Sequence, residues 1–164
     1  KKYNYISKNP PHMSIAQIQE NFPETRNFFS FCFVRNPYDY EVSDYLWRLK
    51  NYKEFKDLKF RDFLRLKLLN EKHKIIPQPK TNWDIYTKND KISVDFVGKF
   101  ENINRDLKII FSHLGYRSFD FIEKNLNLKK NYSRKSYRDY YSSDEKNIVE
   151  KLHFKEIQEF KYNF

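Results

Sequence analysis

Residues 29–47, FSFCFVRNPYDYEVSDYLW, decide the fold of this chain. The apolar run over residues 28–34 is typical of a central strand covered on both faces, as in a parallel sheet. Asn36 and Pro37 follow at once, and these are a favourable helix N-cap and a favourable first helical residue. Apolar side chains then recur at helical spacing: Tyr38, Val42, Tyr45, Leu46 and Leu49. Residues 28–50 are therefore predicted to form a strand, a tight turn and a helix.

Further elements are predicted on both sides of this unit. Ser14 can cap a short helix that Pro23 ends. Later helices are predicted around residues 59–70, at 103–114 with Gly115 as a left-handed C-terminal residue, and after a capping box of Ser142 and Glu145. A strand is predicted at 92–100, irregular structure at 71–91 and mostly loop at 116–135. Strands that alternate with helices predict an α/β fold in which helices flank a parallel central sheet, here as one domain over residues 1–164.

The composition makes the surface basic, with 32 Lys and Arg against 22 Asp and Glu and a net charge of +10. Such a surface favours anionic partners such as phosphorylated nucleotides, nucleic acid or sulfated sugars. Cys32 is the single cysteine, so no internal disulfide can form, and the spacing shows no cluster of metal ligands. We therefore expect no metal. The sequence has no apolar run of transmembrane length and no visible signal peptide.

Arg35 stands where the predicted strand ends and the predicted helix begins. Open α/β sheets bind ligands at the carboxyl ends of their strands, and the free N–H groups of a helix N-terminus favour an anion. Ser43 lies two turns into the same helix, from where its hydroxyl could point back toward that anion. These features predict a phosphate-binding site, although an ordinary capped helix with a surface arginine would share the pattern.

Residues 35–45, RNPYDYEVSDY, resemble the pattern R-N-P-Y-D-R-x-V-S-x-Y of the sulfotransferase superfamily, particularly its carbohydrate sulfotransferase branch. Tyr40 departs from the pattern, which often has arginine there. Other segments resemble the family in the same order: Pro77-Gln78 after His73, VDFVGKFEN at 94–102, and residues 154–164, where Lys161 replaces the usual glycine. The resemblance implies a P-loop-kinase-like architecture. It also implies sulfuryl transfer from 3′-phosphoadenosine 5′-phosphosulfate (PAPS) to a carbohydrate hydroxyl, with adenosine 3′,5′-bisphosphate as the product.

The resemblance also implies roles for individual residues. Arg35 and Ser43 would hold the 3′-phosphate, and the loop 131–135 would close over the nucleotide. The candidate contacts in that loop are Ser133, Arg134 and Lys135. His12 would take the proton of the acceptor hydroxyl, because histidine titrates near neutral pH, and His73 is a second candidate. The remaining histidines, His113 and His153, fall on predicted helices and are interpreted as structural or exposed.

The family's N-terminal strand and Lys-(Thr/Ser)-x-x-(Thr/Ser) loop, which wraps the 5′-phosphosulfate, have no counterpart before His12. We expect that loop upstream of residue 1, in a chain truncated at its N-terminus. Two alternatives stay open: an inactive sulfotransferase-like protein that binds a nucleotide or glycan, and a basic nucleic-acid-binding module. The aromatic residues occur at core spacings and no nucleic-acid motif is recognised, so we expect no nucleic-acid partner. The expected location is the cytoplasm, or the Golgi lumen for a eukaryotic member whose anchor was removed.

Overall fold

The computed structural model describes residues 13–69, 81–116 and 135–164. The helices are α1 (Ile15–Asn21), α2 (Pro37–Asn51), α3 (Phe60–Leu68), α4 (Trp83–Tyr86), α5 (Ile103–His113), α6 (Ser143–Leu152) and α7 (Phe154–Phe160). The strands are β1 (Phe31–Val34), β2 (Thr87–Lys88), β3 (Lys91–Ile92) and β4 (Phe96–Lys99). Short 3₁₀ turns lie at Pro23–Asn27, Lys53–Phe55, Phe100–Asn102 and Tyr137–Tyr140.

A parallel pair of strands, β1 and β4, lies at the centre of the fold. Phe31 is opposite Phe96 and Val34 is opposite Lys99, so the two carboxyl ends meet at one edge. The chain makes the crossover between these strands through α2, α3 and α4, and α5 follows β4. This arrangement confirms the predicted α/β fold, in which helices flank a parallel sheet.

The first strand is shorter and less covered than the sequence predicts. Residues 28–34 are predicted as a central strand covered on both faces, but the strand spans Phe31–Val34 and its Phe31 is 44% exposed. Within the described ranges β1 pairs with β4 alone. The strand begins late because the carboxylate of Asp95 accepts hydrogen bonds from the backbone and hydroxyl of Ser30, at 2.8 and 2.7 Å. The prediction of a strand covered on both faces is therefore wrong for the described part of the chain.

The segment before β4 is more regular than predicted. Irregular structure is predicted at 71–91, yet α4 and the antiparallel β2–β3 hairpin occupy most of its described part, which begins at residue 81. Asn89 and Asp90 form the hairpin turn with positive φ angles of 50° and 61°, the conformation that a tight two-residue hairpin requires. The predicted strand at 92–100 is divided, since its first residue belongs to β3 and β4 holds only four of the others.

The core lies where the helical periodicity places it. Its main cluster joins α2, α3 and α6 through the following buried residues: Tyr38, Val42, Phe55, Phe60, Phe63, Leu64 and Val149. A second cluster of Val34, Trp83 and Tyr86 packs against β1. Burial of such side chains stabilises the fold by about 1.5–3 kcal/mol each. The inward face predicted for α2 is confirmed, since Tyr38 and Val42 are buried and Tyr45, Leu46 and Leu49 pack against the cluster.

The predicted helix ends are confirmed as well. Ser14 and Gln17 form a capping box at α1, and Ser142 and Glu145 form one at α6. Gly115 follows α5 with a φ of 82°, as predicted for a left-handed C-terminal glycine. Lys161 adopts the same left-handed conformation directly after α7.

Candidate functional site

Arg35 lies at the carboxyl end of β1, immediately before the N-cap of α2. Its Nε donates to Oδ2 of Asp39 at 2.6 Å, and its Nη2 lies 2.5 Å from the same oxygen. The arginine side chain is 24% exposed. The carboxylate therefore fixes one side of the guanidinium, and the Nη1 amino group is suited to a further acceptor such as a phosphate.

The face of α2 that Arg35 covers also includes Ser43. Asp39 and Ser43 are four residues apart on α2, so they lie on one side of the helix, and Arg35, which precedes the helix, reaches that side through its contact with Asp39. Ser43 is half-buried, and Asp39 lies between it and the arginine. The two residues predicted to bind phosphate thus share a face, which we call the Arg35–Ser43 face.

The start of α2 differs from the prediction of free N–H groups. Oδ1 of Asn36 accepts the N–H of Tyr38 at 3.0 Å, and Pro37 has no N–H to offer. The backbone N–H of Asn36 donates to Oε1 of Glu101 at 2.6 Å. The anion at this helix start is therefore Glu101, a residue of the chain itself. An external phosphate would meet the side of α2 and not its N-terminus.

Sequence reasoning missed an aromatic neighbour of Arg35. The guanidinium lies over the ring of Phe100, 4.8 Å from its centroid, and Phe100 is 41% exposed. Phe100 directly follows β4, and Lys99 is opposite Val34 in the parallel register. Residues that directly follow two paired parallel strands lie at the same edge of the sheet. The pairing of β1 with β4 would therefore have placed Phe100 beside Arg35, but the sequence alone does not give that pairing.

Residues 161–164, which we call the C-terminal strap, fasten the start of α2. The carbonyl of Asn163 accepts from Nδ2 of Asn36 at 3.1 Å, and the Tyr162 hydroxyl lies 3.3 Å from Oε2 of Glu101. Burial raises the pKa of Tyr162, and Glu101 raises it further, so the phenol keeps its proton and donates. The ring of Phe164 lies 5.1 Å from that of Tyr38 in an edge-on contact.

Of the predicted nucleotide-closing loop, Lys135 is the described member, and it is exposed. The chain continues into the turn Tyr137–Tyr140, whose Tyr137 ring lies 5.8 Å from that of Phe164. Tyr141 then donates its hydroxyl to the carbonyl of Tyr38 at 2.8 Å. Lys135 therefore precedes, by two residues, a turn that is anchored near the start of α2. The other predicted site residues, His12, His73, Ser133 and Arg134, lie outside the described residues, as do Pro77 and Gln78.

A buried group of charged side chains, which we call the Glu41 cluster, joins α2 to α3, α6 and α7. Its members are Glu41, Asp44, Lys67, His153 and Glu156. Lys67 Nζ lies 2.8 Å from both oxygens of Glu41 and 3.2 Å from Oδ2 of Asp44. His153 contacts Glu41 through Nε2 at 2.7 Å and Glu156 through Nδ1 at 2.5 Å.

The protonation states in the Glu41 cluster follow from burial and pairing. Burial alone would raise the pKa of Glu41, but Lys67 and His153 lower it below its ordinary value. Burial would lower the pKa of Lys67, but Glu41 and Asp44 raise it. His153, which the sequence predicts to be structural or exposed, is buried. His113 is exposed, and its ring lies 4.0 Å from that of Phe29.

The chain belongs to the sulfotransferase family, whose sequence profile matches residues 2–163. A protein of Archaeoglobus fulgidus that carries only the name "Uncharacterized protein" is 32% identical over 91 residues, which make up 54% of this chain and 68% of that protein. No solved structure matches the chain. In the described part of the chain no helix is long and apolar enough to cross a membrane, and no three side chains are grouped as a metal site.

Proposed function

We propose that this chain, as a single domain over residues 1–164, is a transferase that binds PAPS and passes its sulfuryl group to a hydroxyl of a carbohydrate. The family match supports sulfuryl transfer in general. The observation that carries the finer proposal is the Arg35–Ser43 face, in which a partly exposed arginine is fixed by Asp39 at the carboxyl end of a parallel strand.

The residues near this face fit a phosphorylated nucleotide. Nη1 of Arg35 and the hydroxyl of Ser43 would hold the 3′-phosphate, and the exposed Lys135 would add a second cation. Ser133 and Arg134 are proposed as further contacts in the same loop. The partly exposed ring of Phe100 beside Arg35 suits stacking against a purine base. The net charge of +10 attracts an anionic donor from a distance.

The proposed chemistry depends on positioning and charge. PAPS supplies an activated sulfuryl group, whose sulfur is displaced in line from the bridging phosphate oxygen by the acceptor oxygen. Arg35 and Lys135 would hold the nucleotide in place by its charge. His12 would accept the proton that the acceptor hydroxyl loses as its oxygen bonds to sulfur. A carbohydrate acceptor is supported by the resemblance of residues 35–45 to the carbohydrate branch.

Calorimetric titration with adenosine 3′,5′-bisphosphate and with AMP tests the nucleotide site. We expect the bisphosphate to bind more tightly than AMP. Arg35→Ala should weaken its binding about 10- to 100-fold, as expected for a lost charge-assisted hydrogen bond of about 1.5–3 kcal/mol. Arg26→Ala, at an exposed arginine shortly before β1, is the matched control and should bind like the wild type.

Equal affinity for AMP and the bisphosphate in the wild type would refute the nucleotide site. So would equal affinity of the Arg35→Ala and Arg26→Ala variants for the bisphosphate. Sulfate transfer from PAPS to a carbohydrate acceptor, measured on a chain that includes the upstream sequence, would separate a transferase from a protein that only binds the nucleotide.

A further inference from the structure

The Glu41 cluster lies on the helix that carries the proposed phosphate contacts, but on its other side. Two residues along an α-helix turn a side chain through about 200°, so Glu41 points away from Ser43 and into the protein. Its carboxylate is fully buried and binds Lys67 of α3 and His153 between α6 and α7. Glu41 thereby fastens the inner side of α2 to three other helices.

With both glutamates ionised, the two contacts of His153 call for a doubly protonated ring. Nδ1 lies 2.5 Å from a Glu156 oxygen and Nε2 lies 2.7 Å from a Glu41 oxygen. A neutral imidazole has a single N–H and cannot donate to two carboxylates at once. Both contacts are hydrogen bonds to carboxylates only when the ring carries a proton on each nitrogen.

The charges of the cluster and its neighbours balance under the same condition. Arg48 Nε lies 2.8 Å from Oδ1 of Asp44. The carboxylates are Glu41, Asp44 and Glu156, and the cations are Lys67, Arg48 and protonated His153. Loss of the His153 proton would leave one uncompensated negative charge in a buried region, which is costly.

The groups that face His153 come from several elements. Glu41 and the ring of Tyr40 face it from α2, and Glu156 faces it from α7. Behind Glu41 lie Lys67 of α3, which contacts Glu41, and Asp44 of α2, which contacts Lys67. Beside Glu156 lie Tyr86 of α4 and Cys32 of β1. Burial alone lowers the pKa of His153, but the two glutamates raise it above its ordinary value. The form in which His153 donates to both glutamates is therefore complete below the ordinary histidine pKa and is lost as the pH rises through the raised pKa of the folded protein.

We propose that Glu41 is a positioning residue, which holds α2 and its Arg35–Ser43 face in place for the nucleotide, and that the hold is complete only when protonated His153 adds its contact to that of Lys67. This inference rests on the proposed nucleotide site. If the competent position of α2 is populated at about one part in ten after the proton is lost, the apparent Kd for the nucleotide rises about tenfold.

Hydrogen exchange of the α2 amides, without ligand, tests the clamp itself. At pH 7 we expect lower protection factors across α2 in Glu41→Gln and His153→Gln than in the wild type. His113→Gln, at an exposed histidine, is the control and should match the wild type. In the wild type, protection of α2 should fall at alkaline pH as the His153 ring titrates. This pH series needs no variant and decides the question even where a variant does not fold.

Binding of adenosine 3′,5′-bisphosphate between pH 7 and 9.5 tests the positioning, since a phosphate with a second pKa of about 6 is mostly ionised there and contributes little titration of its own. We expect the wild-type Kd to rise about tenfold over this range. His153→Gln should have the weaker Kd already at pH 7 and little further change.

The outcomes are separable. Equal α2 protection in His153→Gln and the wild type would overturn the clamp. Wild-type protection that stays constant up to the pH of global unfolding would overturn the need for the proton. Altered α2 protection with an unchanged Kd would overturn the positioning role. A wild type that does not bind the bisphosphate at pH 7 would remove the proposed function and the positioning role with it, while hydrogen exchange would still decide the clamp.

Discussion

Replacement of Lys67 by methionine should destabilise the protein more than any change at a surface lysine. The ammonium is 2% exposed and makes three contacts of 2.8–3.2 Å with the carboxylates of Glu41 and Asp44. Methionine keeps the unbranched apolar stem in place but leaves the buried Glu41 carboxylate with His153 as its remaining cluster partner. The substitution therefore removes the charge of the side chain and keeps most of its packing.

The magnitude follows from the burial of the pair. Removal of one partner of a buried ion pair costs about 3–5 kcal/mol, because the other charge stays in the interior without compensation. A domain is stable by only about 5–15 kcal/mol in total, so the loss should be conspicuous. At about 2–4 °C per kcal/mol for a chain of this size, the midpoint of thermal unfolding should fall by about 6–20 °C.

Urea unfolding followed by circular dichroism measures the effect. Lys56→Met, at an exposed lysine in a turn, is the control and should change the free energy of unfolding by less than about 0.5 kcal/mol. The double variant of Lys67→Met with Glu41→Gln should recover part of the loss, since it leaves Asp44 with Arg48 and Glu156 with His153 as balanced pairs. A Lys67→Met variant as stable as the control, or a double variant less stable than Lys67→Met, would refute the reasoning.

Three further changes have defined outcomes. Gly98→Ala should cost about 1–3 kcal/mol in urea unfolding, because a Cβ there would lie 2.5 Å from the Phe33 ring; an unchanged midpoint would show that the ring moves freely. Lys161→Gly should stabilise the protein by about 0.5–1 kcal/mol, since Lys161 has a φ of 54° that favours glycine, and a lower thermal midpoint would contradict this. Burial alone would raise the pKa of Glu145, but hydrogen bonds from Ser142 and Arg61 lower it to about 2. The stabilisation that ionised Glu145 gives the folded protein is therefore present above the ordinary glutamate pKa, and it is lost as the pH falls toward 2. In Glu145→Gln the acid-induced loss of stability should be smaller over that range, and a difference that appears only above pH 6 would argue against the assignment.

Features set by neighbours in sequence could be predicted. Asn36 and Pro37 start a helix through their own side-chain chemistry, and the capping box of Ser142 and Glu145 requires only a spacing of three residues. The position of Arg35 follows from the same local logic, because it lies between a predicted strand and a predicted helix. Local patterns thus defined α2 and one side of the candidate site.

Features set by distant partners could not be predicted. Lys67 is buried because Glu41, which is 26 positions before it, pairs with it in the fold, and a lysine on an amphipathic helix is ordinarily assigned to solvent. Glu101 occupies the start of α2 from 65 positions away, so the N–H of Asn36 is already bound to a residue of the chain. The hairpin turn Asn89-Asp90 contains no glycine, which is the usual signal for its backbone conformation.

The C-terminal strap determines when the proposed site can be completed during synthesis. Asn163, which accepts the hydrogen bond from Asn36, lies 127 positions further along the chain. At about 5–20 residues per second, a ribosome takes roughly 6–25 s to add that many residues. Throughout that interval the first turn of α2 lacks the strap that fastens it. A nascent chain that already contains Arg35 and Ser43 therefore completes the proposed phosphate-binding surface only after residues 161–164 emerge.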